Sequence, residues 1–129
     1  MSLASIVARP MIAGMFVYGG FDAFTNPASK VPKASRVAPQ IARTIGLPSD
    51  TERLVQANGA VQVGAGLALA TGVFPRLAAL ALAASLVPTT LAGHRPWDEE
   101  DDAARKQQTV QLLKNLAMFG GLLMIIEHG

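Results

Sequence analysis

Long apolar runs, separated by two short charged segments, dominate the chain. Residues of about 5–24, 50–71, 75–92 and 108–126 are each near the roughly 20 helical residues needed to cross a bilayer core. The first run stops at Thr25-Asn26-Pro27. The second opens at Ser49-Asp50, where Ser49 and Glu52 fit a capping box. Gly72 suits the position just past a helix end, and Pro75 suits the first turn of the next helix. The short link Gly72-Val73-Phe74 therefore predicts an antiparallel hairpin of the second and third runs. Pro88, near the end of the third run, should kink that helix or loosen its last turns.

Between the first two runs lies a loop of residues 28–48, rich in Lys, Arg and Pro. Within it Val37, Ile41 and Ile45 repeat at helical spacing, with Arg36, Gln40 and Arg43 elsewhere on the wheel. A short amphipathic helix on the membrane surface is expected, a solvated basic loop being the alternative. Helical spacing also places Met11, Met15, Tyr18 and Asp22 on one face. That face is expected to look inward, because Asp22 should not meet lipid. Small residues at Ala60, Gly64 and Ala68, and at Ala117 and Gly121, predict close helix approach.

Composition sharpens this picture. Half of the residues are hydrophobic and only 16% are charged, against about 25% in a typical soluble domain. Most charges fall in 30–53 and 95–106. In lipid, backbone groups must be satisfied within helices or closed barrels, and nothing here alternates as a barrel strand would. The first run lacks a basic cluster before it and a convincing cleavage site, so it reads as a retained span rather than a signal peptide. The expectation is an all-α integral membrane four-helix bundle with a short interfacial amphipathic helix in the first loop, forming a single domain over residues 1–129. Lys and Arg concentrate in loops one and three, so the positive-inside rule puts those loops in the cytoplasm of a cell-membrane protein and both termini outside. The net charge of +2 is too small to argue for nucleic acid. The absence of cysteine removes thiol chemistry and cysteine metal sites from the chain itself.

This topology gathers Asp22, Asn58, Gln62, His94, Lys114 and Asn115 toward the membrane face that carries the two larger loops. Asp22 is expected to pair with Lys114 or Arg53, and the amides to bond between helices. These groups either join helices and snorkel at the interface, or line a pocket for a polar head group, such as that of a quinone or a lipid. In the pocket case a His beside an Asp can exchange protons with a quinone oxygen. His94 alone does not make a metal site, and no catalytic set is discernible. Trp97 fits the aromatic belt as an interface anchor. The acidic stretch 98–102 reads as a solvated face, with steering of a partner as the sharper alternative. The methionines read as packing rather than metal ligands.

Three stretches resemble the DoxX family. Gly19-Gly20-Phe21-Asp22-Ala23-Phe24-Thr25-Asn26-Pro27 is similar to the end of the family's first helix, in the manner of actinobacterial members. Gly93-His94-Arg95-Pro96-Trp97 resembles its His-x-Phe-Trp segment, with Pro96 where Phe is commoner. Leu113-Lys114-Asn115-Leu116-Ala117-Met118-Phe119-Gly120-Gly121-Leu122-Leu123 resembles its Leu-Lys-Asn-Leu-Ala segment. The resemblance implies four spans. It also implies kinship with membrane subunits of a thiosulfate:quinone oxidoreductase, and with mycobacterial proteins associated with a superoxide dismutase and a sulfurtransferase.

The leading expectation is a membrane subunit that anchors or assists a redox partner, with a quinone as a cofactor in the polar pocket and lipids and other proteins of a membrane complex as partners. The alternative is a non-redox accessory or assembly factor, in which bulky changes at Gly64 or Gly121 would matter more than alanine at His94 or Asp22. A small-molecule transporter fits less well, because the far halves of the spans look dry.

Overall fold

The computed structural model describes residues 2–46 and 50–129. They are helical, and no strand occurs among the described residues. Helix α1 spans Leu3–Thr25, capped by Ser2, whose hydroxyl accepts from the Ser5 N–H. A 3-10 turn at Pro27–Lys30 leads into α2, Val31–Ala34, and then α3, Ala38–Ile45. Helix α4 is Thr51–Thr71, α5 is Pro75–Gly93, and α6 is Asp102–His128 after a 3-10 turn at Pro96–Asp98.

Local chemistry fixes these boundaries. The capping expectation for Ser49 lies outside the described residues; the cap of α4 is Asp50, whose carboxylate accepts from the Glu52 N–H at 3.1 Å. Gly72 ends α4 at φ 78°, a left-handed conformation that only glycine adopts freely. Pro75 opens α5 as expected, and α5 continues through Pro88 to Gly93. Helix α6 begins six residues before the expected 108, because Asp101 caps it by accepting from the Ala104 N–H.

The long helices pack in sequence, α1 along α4, α4 along α5 and α5 along α6. Helix α1 meets α6 where Gly121 faces Ile12. The shared core is small and aliphatic, centred on Leu69, Leu82 and Leu122, with Ala13, Phe16, Ala79 and Leu86 around them. Arg9, buried at the end away from the larger loops, donates to the Gly129 carbonyl and lies beside the Gly72 turn.

Two expectations about helix faces are corrected. Met11 and Tyr18 are 72% and 81% exposed, so their face of α1 looks outward. The buried face is Arg9, Ala13, Phe16 and Gly20. Apolar side chains that would be buried in a soluble protein face lipid in a membrane protein, so a run of large hydrophobics does not mark the packed side. On α4, Ala60 and Gly64 are exposed; the contact face is Val55, Gly59, Gln62, Gly66 and Leu69. Ala117 on α6 is exposed as well, whereas Gly121 does meet α1.

Three helical stretches, Leu3–Thr25, Pro75–Asp98 and Asp102–His128, are long and apolar enough to cross a membrane. Their outward faces carry Leu3, Met11, Phe21, Leu77, Leu116 and Met124. So much exposed apolar surface is unusual on a soluble monomer and ordinary in lipid. Helix α4 has 21 residues, but Glu52, Arg53, Gln56, Asn58 and Gln62 make its first half polar.

Candidate functional site

A cavity of about 500 Å³ opens between loop one and the ends of α1, α4 and α5. Small residues create it: Gly19 and Ala23 on α1, Ala34, Ala38 and Ala42 in loop one, and Ala92 and Gly93 on α5 all line its wall. Its size falls in the range of roughly 300–1,000 Å³ typical of small-molecule pockets. Helix α3 forms the roof. Its Ile41 and Ile45, and Val37 just before it, line the cavity, while Ala42 is buried. The expected amphipathic helix is therefore present, with its apolar residues turned toward the cavity.

Two polar tiers bound this space, with Asn58, Gln62 and Thr89 lining the deeper one. The deeper one joins α4 to α5. The Gln62 amide donates to the Ser85 hydroxyl at 2.9 Å and to the Thr89 hydroxyl at 3.2 Å. The Asn58 amide donates to Thr89 at 3.0 Å, and its carbonyl accepts from Ser85 at 2.6 Å. Thr89 in turn donates to the Ser85 carbonyl at 2.9 Å. Asn58 and Gln62 are one helical turn apart, as are Ser85 and Thr89, so each pair presents one face to the other.

The outer tier is the rim, formed by Ser29, Lys30, Lys33 and His94. His94 Nδ1 lies 3.0 Å from Gln108 Oε1 on α6. A carbonyl oxygen only accepts, so Nδ1 carries the hydrogen, and a neutral ring presents Nε2 as an acceptor. Lys30 is held by Asp22 at 2.8 Å.

Of the six residues expected to converge, the cavity brings together Asn58, Gln62 and His94. Asp22 contributes only through Lys30. Its expected pairing with Lys114 or Arg53 does not form: Lys114 donates to Gln111 at 2.7 Å, and Arg53 pairs with Asp50 at 3.7 Å. Asn115 is buried and donates to Thr90 at 2.9 Å. It lines a separate, apolar cleft of about 250 Å³ between α5 and α6. Sequence reasoning missed Ser85, Thr89 and Thr90, because a hydroxyl in an apolar run bonds its own helix as readily as a neighbour. It also missed Lys30 and Lys33, which were counted only as loop charge.

Outside the cavity, the two larger loops are tied together. Asp98 pairs with Arg95 at 2.8 Å and with Arg36 at 3.9 Å. Arg95 also lies over the ring of Trp97, 5.6 Å from its centroid, and Trp97 is 57% exposed. The acidic stretch is exposed apart from the partly buried Glu99, and within it Asp98 is a bridge and Asp101 a helix cap.

Long apolar helices with outward-facing hydrophobics and a polar cavity at one end define a helical membrane protein. The DoxX family model matches residues 4–95, and the chain belongs to that family. The match takes in α1 to α5 and includes the cavity-lining residues, the segments around Asp22 and His94 among them; the resembling stretch 113–123 lies beyond it. No curated protein and no solved structure matches the chain.

Proposed function

We propose that this chain is a membrane subunit whose own contribution is to hold the head group of a membrane amphiphile, a quinone or a lipid, beneath loop one, and that it assists a redox partner there. The observation that carries this is the cavity itself: apolar walls, an amide–hydroxyl floor and a histidine at its rim. In this arrangement α4 is the fourth span and residues 1–129 form one domain. Loops one and three lie in the cytoplasm of a cell-membrane protein, with both termini outside, as the excess of Lys and Arg in those loops favours.

The lining residues fit a quinone ring. Val37, Ile41, Val55 and Pro88 would flank it, above an amide–hydroxyl floor whose bonds run between α4 and α5. A neutral His94 would accept a proton at Nε2 from the hydroxyl of the reduced quinol. The quinone and the partner would supply the electron chemistry. Exposed charges near loop three not engaged by the Asp98 bridge, such as Glu100 and Lys106, provide a docking surface for that partner.

One observation favours the alternative of a non-redox accessory or assembly factor. Asn58, Gln62 and Asn115 all bond between helices, which is what polar residues do when they only join spans.

Extraction of the tagged chain in native lipid discs, followed by mass spectrometry of bound lipids, quinones and proteins, tests the proposal. An amphiphile enriched over bulk membrane, and lost when Ala38→Phe narrows the cavity, is the expected result. Bulk-like lipid with no effect of Ala38→Phe would remove the pocket. Recovery of an assembly without redox proteins would favour the accessory role.

A further inference from the structure

The two polar tiers of the cavity are not equivalent. In the floor, Asn58, Gln62, Ser85 and Thr89 direct their hydrogen bonds at one another. A ligand gains little by competing with bonds already made, since the net value of exchanging one hydrogen bond for another is small. The rim differs. Its ionised lining residues are Lys30 and Lys33, and no carboxylate lines the cavity among the described residues. Asp22 neutralises Lys30. The Lys33 ammonium has no ion pair or hydrogen bond among the described residues.

Lys33 is also well placed. It lies on α2, which packs against both α4 and α5. Pro32 at the start of α2 fixes the backbone there. The lysine therefore stands where the cavity opens, on the same rim as His94. Below it run apolar walls from Val37, Ile41, Val55 and Pro88. A cation above an apolar slot is complementary to an anion carrying a hydrocarbon chain.

We propose that the cavity's occupant is an anionic lipid, its phosphate held by Lys33 at the rim and its acyl chain lying along the Val37–Ile41 roof. This rests on the pocket proposed above and narrows its ligand class. The positive charge selects the head, and the apolar lining selects a lipid over a soluble anion.

The full chain in neutral detergent tests this by native mass spectrometry, with phosphatidylglycerol, phosphatidylcholine of the same chains, a short-chain quinone analogue and inorganic phosphate as probes. Phosphatidylglycerol should bind in preference to the other three. Lys33→Gln should weaken it about fivefold, from the usual worth of one lysine against an anionic lipid. Lys33→Arg should retain binding. Arg43→Gln, a basic loop change outside the cavity lining, should have no effect and controls for general attraction. Equal binding of the two phospholipids, equal losses at Lys33 and Arg43, or binding of phosphate alone would overturn the proposal. A bound quinone analogue without phosphatidylglycerol preference would overturn it and leave the pocket standing. If no probe binds and Ala38→Phe changes nothing, the pocket fails as well.

Discussion

Gly20 and Gly59 bring the backbones of α1 and α4 into direct contact: a Cβ built on Gly20 would lie 2.7 Å from the Gly59 carbonyl oxygen, and one on Gly59 would lie 2.6 Å from that of Gly20. Both obstacles are backbone, which cannot rotate away. Gly59→Ala should therefore separate the helices and cost about 1–3 kcal/mol, as overpacking does. Gly64→Ala is the control, since nothing stands within 4 Å of its added methyl; its stability should change by less than about 0.5 kcal/mol. Denaturation in mixed micelles, followed by circular dichroism, separates the two. Equal effects would mean that the α1–α4 contact is not as close as described.

The floor of the cavity should behave as a unit. Gln62→Leu removes the bonds to Ser85 and Thr89. Interhelical hydrogen bonds in membranes average about 0.6 kcal/mol, so a loss near 1 kcal/mol is expected. Asn58→Leu should cost a similar amount. Because both amides share Ser85 and Thr89, the double variant should lose less than the sum, and a double-mutant cycle measures that coupling. Strict additivity would show two independent bonds rather than a network.

The helices were readable from the chain because twenty apolar residues in a row have few structural alternatives in lipid. Gly72, Pro75 and the Asn58–Gln62 spacing were readable for similar reasons, each being a local rule. Which face of a helix is packed was not. Met11, Met15 and Tyr18 share a face, but helical spacing groups residues without saying which group is inside. In lipid the marker is small size rather than hydrophobicity, and even that misleads when two stripes of small residues share one helix. Ala60 and Gly64 formed one stripe on α4, Gly59 and Gly66 the other. Only the position of α1 distinguishes them. The partners of charged groups were equally hidden. Asp22 takes Lys30, eight residues away, because the 3-10 turn at Pro27–Lys30 folds the chain back on the end of α1, and no pattern in the sequence announces that turn's direction.

The bridge from Asp98 to Arg36 and Arg95 should govern the roof more than global stability. Arg36 and Asp98 are each nearly half exposed, and exposed pairs contribute about 0–1 kcal/mol. Asp98→Asn should leave the unfolding midpoint nearly unchanged. It should, however, free the segment carrying Arg36 from loop three, so amides of residues 31–45 exchange faster with deuterium. Raised salt should produce the same acceleration in the wild-type chain and none in Asp98→Asn, because screening acts on a bridge that the variant lacks. Protection unaltered by either change would place the roof's restraint in apolar packing, with buried Ala42 as its anchor.

Helix α4 decides the topology. It is as long as a span but polar in its first half, so it either crosses the membrane beside α1 or lies along the surface. A chain without cysteine permits a direct test. Single cysteines at Ser35, Val73 and Ala103, all exposed positions, report loop one, the α4–α5 turn and the start of α6. With α4 spanning, a membrane-impermeant maleimide applied to sealed vesicles should treat Ser35→Cys and Ala103→Cys alike and Val73→Cys oppositely. In inside-out vesicles the first two should label and the third should not, placing the basic loops in the cytoplasm. If α4 lies on the surface, Ser35→Cys and Val73→Cys label together. The close Gly20–Gly59 contact favours crossing, because it holds the polar first half of α4 against α1 and directs Asn58 and Gln62 toward α5 instead of lipid.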